Sequence, residues 1–194
     1  MASSTKGQRI KVEPIREMKD IKAIKRLLSS NPRDLAYFVL GINTNLRASD
    51  ALALTVGQVR RLKPMDEIEI REKKTRKIRR LCLNRAVVEA INDYLDTRPQ
   101  AADSEPLFMG RKGRRALGVP TVSAMVKRWC HYINLKGNYA SHSLRKTFGY
   151  HQRVTFGVGL PELMVAFNHS SQKETLNYLC IQPDEVRNVY LNEI

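Results

Sequence analysis

Ser141-His142-Ser143-Leu144-Arg145-Lys146-Thr147-Phe148 is the stretch around which the rest of the chain is read, together with its continuation through His169-Ser170-Ser171 to Tyr178. Residues three apart on a helix are neighbours on one face, so this spacing sets His142 beside Arg145. A second imidazole, His169, comes next, and a phenol, Tyr178, stands nine residues after it. An arginine fork that matches phosphate geometry, two imidazoles and a phenol able to act as nucleophile point to phosphoryl-transfer chemistry.

The partner for such chemistry is written in the charge. Lys and Arg number 34 against 19 Asp and Glu, a formal net charge of +15, and a surface so basic attracts polyanions, nucleic acid first and anionic membrane second. DNA is the expected substrate. A chain of 194 residues fits one domain with a core of its own. Its 42% hydrophobic and 27% charged residues exclude wholesale disorder. Cys82, Cys130 and Cys180 are odd in number and widely separated, which fits a reducing compartment rather than a disulfide framework or a zinc site. No apolar signal-peptide core and no apolar stretch of membrane-spanning length is present, so a cytoplasmic protein that does not enter a membrane is expected.

Outward from the opening stretch, the hydrophobic spacing predicts a mostly helical domain with a small antiparallel sheet, an α+β class. Residues 1–14 are polar and basic and read as a flexible tail; residues 15–194 read as the domain. Ile15, Met18, Ile21, Ile24, Leu27 and Leu28 recur at helical spacing, and Pro32 opens a second helix after Asn31. Ser49 can start a short helix, with Asp50 one turn after Arg47. Residues 67–83 alternate apolar (Ile68, Ile70, Ile78, Leu81, Leu83) with charged positions around Lys73-Lys74-Thr75-Arg76-Lys77, the pattern of a hairpin with a basic tip. Asn84 caps a helix to about Arg98, Gly110 to Arg115 forms a second basic loop, and Thr121–Leu135 returns to helical spacing with Gly137 as its end. Helices follow at about Ser143–Val154, Pro161–Phe167, Ser171–Leu179 and from Pro183 onward. His131, His151 and the tyrosines other than Tyr178 read as surface or packing residues.

Arg47 in Asn-Leu-Arg-Ala-Ser-Asp, Lys74 in Lys-Thr-Arg-Lys, His142-x-x-Arg145, His169-Ser-Ser and Tyr178, in this order, together resemble the tyrosine recombinases, the phage-integrase family, over about residues 15–190. The resemblance implies the catalytic-domain fold of that family and a site-specific recombinase that cleaves and rejoins duplex DNA through a 3′-phosphotyrosine, with no metal, ATP or other cofactor. It implies Arg47 and Arg145 as the forks on the phosphate, Tyr178 as nucleophile, His142 as the proton-transfer and phosphate-contacting group, and His169 as a hydrogen-bond donor to the phosphate. Lys74 is implied as general acid, and Asp50 as the support of Arg47. Lys73, Arg76, Lys77, Arg111, Lys112, Arg114 and Arg115 are expected to track DNA phosphates. The partner is double-stranded DNA. The resemblance further implies a homotetramer on two DNA sites, with a monomer possible in free solution, in which the apolar face Val186, Val189, Tyr190 and Ile194 docks on a neighbouring subunit.

Three features depart from the family pattern, one of them a spacing from His142 to His169 that is one residue longer than the commonest. The family's usual Leu-Gly before the second histidine is Phe167-Asn168 here, at positions expected to touch no reacting group. The N-terminal DNA-clamping domain usual in the family has no counterpart in these residues. A type IB topoisomerase-like relaxing enzyme and a non-catalytic DNA-binding module are the alternative readings.

Overall fold

The computed structural model describes residues 12–110, 115–169, 171–179, 181, 183–191 and 193. The order is α1 Met18–Leu27, α2 Pro32–Asn43, α3 Ala48–Ala51, α4 Val56–Val59, β1 Glu67–Arg71, β2 Ile78–Cys82, α5 Arg85–Asp96, α6 Val119–Tyr132, α7 Ser141–Val154, α8 Leu160–Phe167, α9 Gln172–Leu179 and α10 Pro183–Val189. The expected helices and hairpin all form among these residues. Local chemistry sets several boundaries: Asn31 Oδ1 accepts from the Asp34 amide ahead of Pro32, and Asn84 Oδ1 accepts from the Val87 amide, each satisfying a donor the helix leaves open.

Three boundaries differ from the sequence reading. Helix α6 ends at Tyr132 rather than near Gly137, because Asn134 adopts a left-handed φ of 56° and the Leu135 amide donates to the Cys130 carbonyl; asparagine takes the place glycine often fills at a helix end. The extra helix α4 starts at Thr55, whose amide donates to Gln58 Oε1, a Thr-x-x-Gln signature readable in the sequence. Of the tail expected over residues 1–14, Val12–Pro14 are instead held against α7: Lys146 Nζ donates to the Val12 carbonyl at 2.9 Å, and the Glu13 amide to the Asn138 carbonyl at 2.9 Å. The Ile15 amide donates to Thr147 Oγ1 at 2.8 Å, and the His151 ring meets the Ile15 carbonyl. Residues 1–11 lie outside the described residues.

Helix α2 is the hub. It packs on α5 and α7, and Gly41 lets α7 come close: a Cβ there would lie 2.6 Å from Leu144 Cδ1. The principal core joins α1, through Ile21 and Ile24, to α2, α5 and α6, which meet in aromatic contacts, Phe38 edge-on to Trp129 and Phe108 between Tyr37 and Tyr94. A separate small cluster of Leu163, Phe167 and Leu179, with Phe148 and Tyr178 packed on it, carries α8 and α9 on α7. The tyrosine therefore rides on a satellite core.

The two strands pair antiparallel in the register Glu67↔Cys82 to Arg71↔Ile78. Successive residues of a strand face opposite sides, and Ile68 and Ile70 face inward with Glu72 continuing their side. On β2 the inward positions are Arg79 and Leu81, not Ile78. Ile78 was expected among the apolar alternation but is 63% exposed, since the register turns it outward opposite Arg71.

Candidate active site

Arg145, on the second turn of α7, is 1% exposed. Its guanidinium donates from Nη1 to the Asn45 carbonyl and from Nη2 to the Phe167 carbonyl at 3.3 Å. The end of α2 and the end of α8 thus meet on one arginine. Its Cζ lies 4.9 Å from the Phe167 ring centroid and 5.1 Å from that of Tyr178, within cation–π range. Burial and then the Arg47 charge lower its pKa to about 10, which leaves it charged at neutral pH.

His169 follows Asn168, whose left-handed conformation (φ 53°, ψ 42°) ends α8. Asparagine is tolerated there where the family pattern has glycine. The ring stacks on Phe167 with centroids 5.1 Å apart and lies 5.3 Å from Tyr178. Arg145 Nη2 stands 3.3 Å from His169 Nε2. A guanidinium only donates, so Nε2 accepts, and Nδ1 carries the hydrogen that goes to Thr175 Oγ1 at 3.0 Å. Thr175 is fully buried, one turn before Tyr178 on α9. Burial and then Arg145 push the His169 pKa down to about 4, so the ring is neutral near pH 7.

The two positions that depart from the family pattern were expected to touch no reacting group. The structure corrects this: Phe167 lies under Arg145, His169 and Tyr178 together, and Asn168 lines the cleft. Gly149 of α7 makes the platform possible, because a Cβ there would sit 2.9 Å from Phe167 Cζ.

Arg47 projects from the start of α3. Its Nη1 is 2.7 Å from Glu72 Oε2 and 3.9 Å from Asp50 Oδ2, so of the two carboxylates Glu72 is the nearer. Glu72 has no exposed surface and also faces Arg79 Nη1 at 3.6 Å. Burial works to raise its pKa; hydrogen bonds from Thr75 and Arg47 and the charges of Arg47 and Arg79 outweigh it, and the net shift is downward. Arg79 is shifted down by burial, partly offset by Glu72. Glu72, Arg79 and Thr175 do not stand out in the sequence, and Phe167 does so only as a departure from the family pattern.

A cleft of about 280 Å³ is lined by Arg47, Lys74, Thr75, Lys77, Asn168, His169, Glu174 and Tyr178. Sequence positions 47, 74, 169 and 178 are thereby brought to one opening, with Arg145 beneath the tyrosine. His142 stands exposed on the first turn of α7. Desolvation first, then Arg145, Arg47, Lys146 and Lys74, lower its pKa, which places its ring in the field of the same cations. Of the hairpin cations, Lys77 shares the cleft with Lys74, while Lys73 and Arg76 are exposed beside it. Arg115 lines a separate cleft of about 610 Å³ between α2 and α6, with Arg33 and Arg128; Arg111, Lys112 and Arg114 lie outside the described residues, as does Ser170. Among the described residues no group of three His, Cys, Asp or Glu side chains is placed to hold a metal ion, and no helix is long and apolar enough to cross a membrane. Cys82 and Cys130 are free thiols, and Cys180 lies outside the described residues.

Arg47 and Arg79 meet two buried carboxylates, Asp50 and Glu72, and the buried Arg145, bonded to two backbone carbonyls, leaves one positive charge in excess among these five side chains. One phosphodiester would balance it.

The family model for the phage integrase family matches residues 8–185. A probable integrase/recombinase YoeC of Bacillus subtilis is 32% identical over 182 residues, covering 92% of this chain and 95% of that protein. The tyrosine recombinase XerC of Caldanaerobacter subterraneus is 29% identical over 171 residues, covering 84% of this chain; the chain spans 47% of its length. The fold is shared with the crystal structure of XerA recombinase, with a TM-score of 0.76 at 21% identity over 92% of this chain and 65% of that one. It is shared likewise with XerH site-specific recombinase bound to palindromic difH substrate in a post-cleavage complex, with a TM-score of 0.77 at 18% identity over 98% and 55%.

Proposed function

The chain belongs to the phage integrase family, and on that premise we propose that it is a site-specific DNA recombinase whose nucleophile is Tyr178. The observation that carries the proposal is the single cleft lined by Arg47, Lys74, His169 and Tyr178, with Arg145 under the tyrosine ring.

The Tyr178 phenol oxygen attacks the scissile phosphorus. A bond from phosphorus to that oxygen forms, the bond from phosphorus to the 5′ oxygen breaks, and the DNA is left on the enzyme as a 3′-phosphotyrosine. A phenol with a pKa of about 10 needs help at neutral pH; His142, whose pKa is lowered by desolvation first and by the surrounding cations second, takes the proton. Charge growing on the non-bridging oxygens meets the guanidinium forks of Arg47 and Arg145; when Arg145 swings from His169 to the phosphate, the ring takes its other tautomer, Nδ1 accepting from the Thr175 hydroxyl and Nε2–H donating to the phosphate. Lys74 gives the departing 5′ oxygen its proton. These cations supply the stabilisation that a metal ion supplies in other phosphoryl transfers, and the phosphotyrosine conserves the bond energy, so rejoining by the reverse step needs no ATP.

Residues 15–194 act as the catalytic domain. Lys73, Arg76, Lys77 and Arg115 track duplex phosphates, a role extended to Arg111, Lys112 and Arg114. The assembly is a homotetramer on two DNA sites in the cytoplasm. The apolar residues Val186, Val189 and Tyr190 on and just after α10, 50%, 63% and 84% exposed, couple neighbouring subunits; Ile194 lies outside the described residues.

The test is incubation with a nicked suicide duplex in EDTA. A covalent adduct that Tyr178→Phe abolishes and Lys74→Ala slows is expected. No adduct on a verified site would leave a binding module, and relaxation without recombinant junctions would indicate a topoisomerase.

A further inference from the structure

The tip of the hairpin is tied to the Arg47 site at two points. Thr75 Oγ1 donates to Glu72 Oε2 at 2.6 Å, the same oxygen that lies 2.7 Å from Arg47 Nη1. The Lys73 amide donates to Asp50 Oδ1 at 2.9 Å, while Asp50 Oδ2 faces Arg47 at 3.9 Å. Within the loop the Arg76 amide donates to the Glu72 carbonyl and the Glu72 amide to the Lys77 carbonyl. Both neighbours of Lys74 are therefore bound to the two carboxylates that hold Arg47.

A two-stranded hairpin is marginally stable alone, and lysine is a point charge on a flexible stem. Without a tether at the tip, the Lys74 ammonium would sample a wide volume. Glu72 is suited to be that tether: it continues the inward face of Ile68 and Ile70, has no exposed surface, and is balanced by Arg79 on the paired strand.

We infer that Glu72 is a positioning residue that couples the two ends of the reaction, fixing the Lys74 turn relative to Arg47 so that the ammonium meets the leaving oxygen of the phosphate that Arg47 holds. The inference rests on Lys74 acting as general acid. Thr75 is the hairpin half of the tether and Arg47 the phosphate half, so the two halves are separable: Thr75→Val cuts the first and leaves the ion pair between Glu72 and Arg47 in place.

The chemical readout is a leaving group that needs no proton. Cleavage under single-turnover conditions is measured on a duplex recovered from a randomised library by covalent capture with the unmodified protein, and on the same duplex with sulfur replacing the bridging 5′ oxygen. A thiol, with a pKa of about 8.5 in the cysteine side chain, departs as thiolate unaided. Thr75→Val and Glu72→Gln are expected to slow the oxygen substrate about tenfold or more and the sulfur substrate at least about fivefold less than that. Equal loss on both substrates would place the whole effect on Arg47 and overturn the inference.

Hydrogen exchange on the same variants needs no DNA. The amides of Lys73, Arg76 and Lys77 are expected to exchange about tenfold faster, with those of Val87 and Val88 in α5 unchanged. Unchanged exchange at the tip overturns the tether even if the protein captures no DNA, the outcome that would count against the recombinase reading itself.

Discussion

Thr175→Val removes one hydroxyl from a position with no exposed surface and leaves the shape of the side chain nearly intact. What is lost is the acceptor for His169 Nδ1–H at 3.0 Å. A buried donor left without a partner costs about 1–3 kcal/mol. The ring cannot escape by moving its hydrogen to Nε2, because Arg145 Nη2, 3.3 Å away, is itself a donor. The variant must therefore carry the unpaired N–H or reorient the ring on its Phe167 platform. Given the partial exposure of His169, a loss of about 1–2 kcal/mol in unfolding free energy is expected. If about 1.4 kcal/mol of this is felt at the phosphate, cleavage slows about tenfold. Urea unfolding, single-turnover cleavage and nitrogen-15 spectra of the His169 ring read the three effects, and Thr175→Ser is expected to restore them. Stability within about 0.3 kcal/mol of the parent, with Nδ1 still protonated and cleavage unchanged, would refute the reasoning.

Three further outcomes follow from the same geometry. Gly149→Ala places a Cβ 2.9 Å from Phe167 Cζ; overpacking of this kind costs about 1–3 kcal/mol, and because the platform carries Tyr178 and His169, calorimetry and cleavage should fall together. His169 titrates at about 4 in the folded chain against a reference of 6.5; the folded state binds fewer protons between these values, so its contribution to stability is complete above the upper value and is lost as pH falls toward the lower one. After discounting for solvent the loss is about 1–2 kcal/mol, measured as the difference in urea midpoints at pH 7 and pH 4.5, and His169→Gln should flatten it. Replacing Arg76 or Lys77 by Ala should weaken binding to unrelated duplexes and reduce the slope of log affinity against log salt by about 1 each, as titrations at several salt concentrations would show.

The parts legible in the sequence are those whose partners lie within a few residues. His142 and Arg145 share a helix face, Asn31 and Asn84 cap the helices that follow them, and the order of Arg47, Lys74, His169 and Tyr178 carried the family. Tyr178 and Lys74 share a cleft only after α8 and α9 fold back on α7, which no local pattern encodes. Glu72 was hidden because Glu67 and Glu69, its neighbours in an alternating strand, are exposed. Even so, period-2 spacing puts it on the side of Ile68 and Ile70, and the matching parity on β2 selects Arg79 over Ile78. A charged residue in register with a buried apolar face is the signal that could have found the pair. Phe167 was read as a harmless departure because its role depends on a glycine two turns into another helix. Thr175 carries no signal of its role, because a threonine in a helix can equally bond back to its own backbone.

Proteolysis of the covalent adduct followed by mass spectrometry tests the central claim most directly. The peptide containing Tyr178 should carry the added nucleotide, joined through a 3′ phosphate, and Tyr178→Phe should leave no modified peptide. A nucleotide found on any other residue, or an adduct that persists in the phenylalanine variant, would contradict the account.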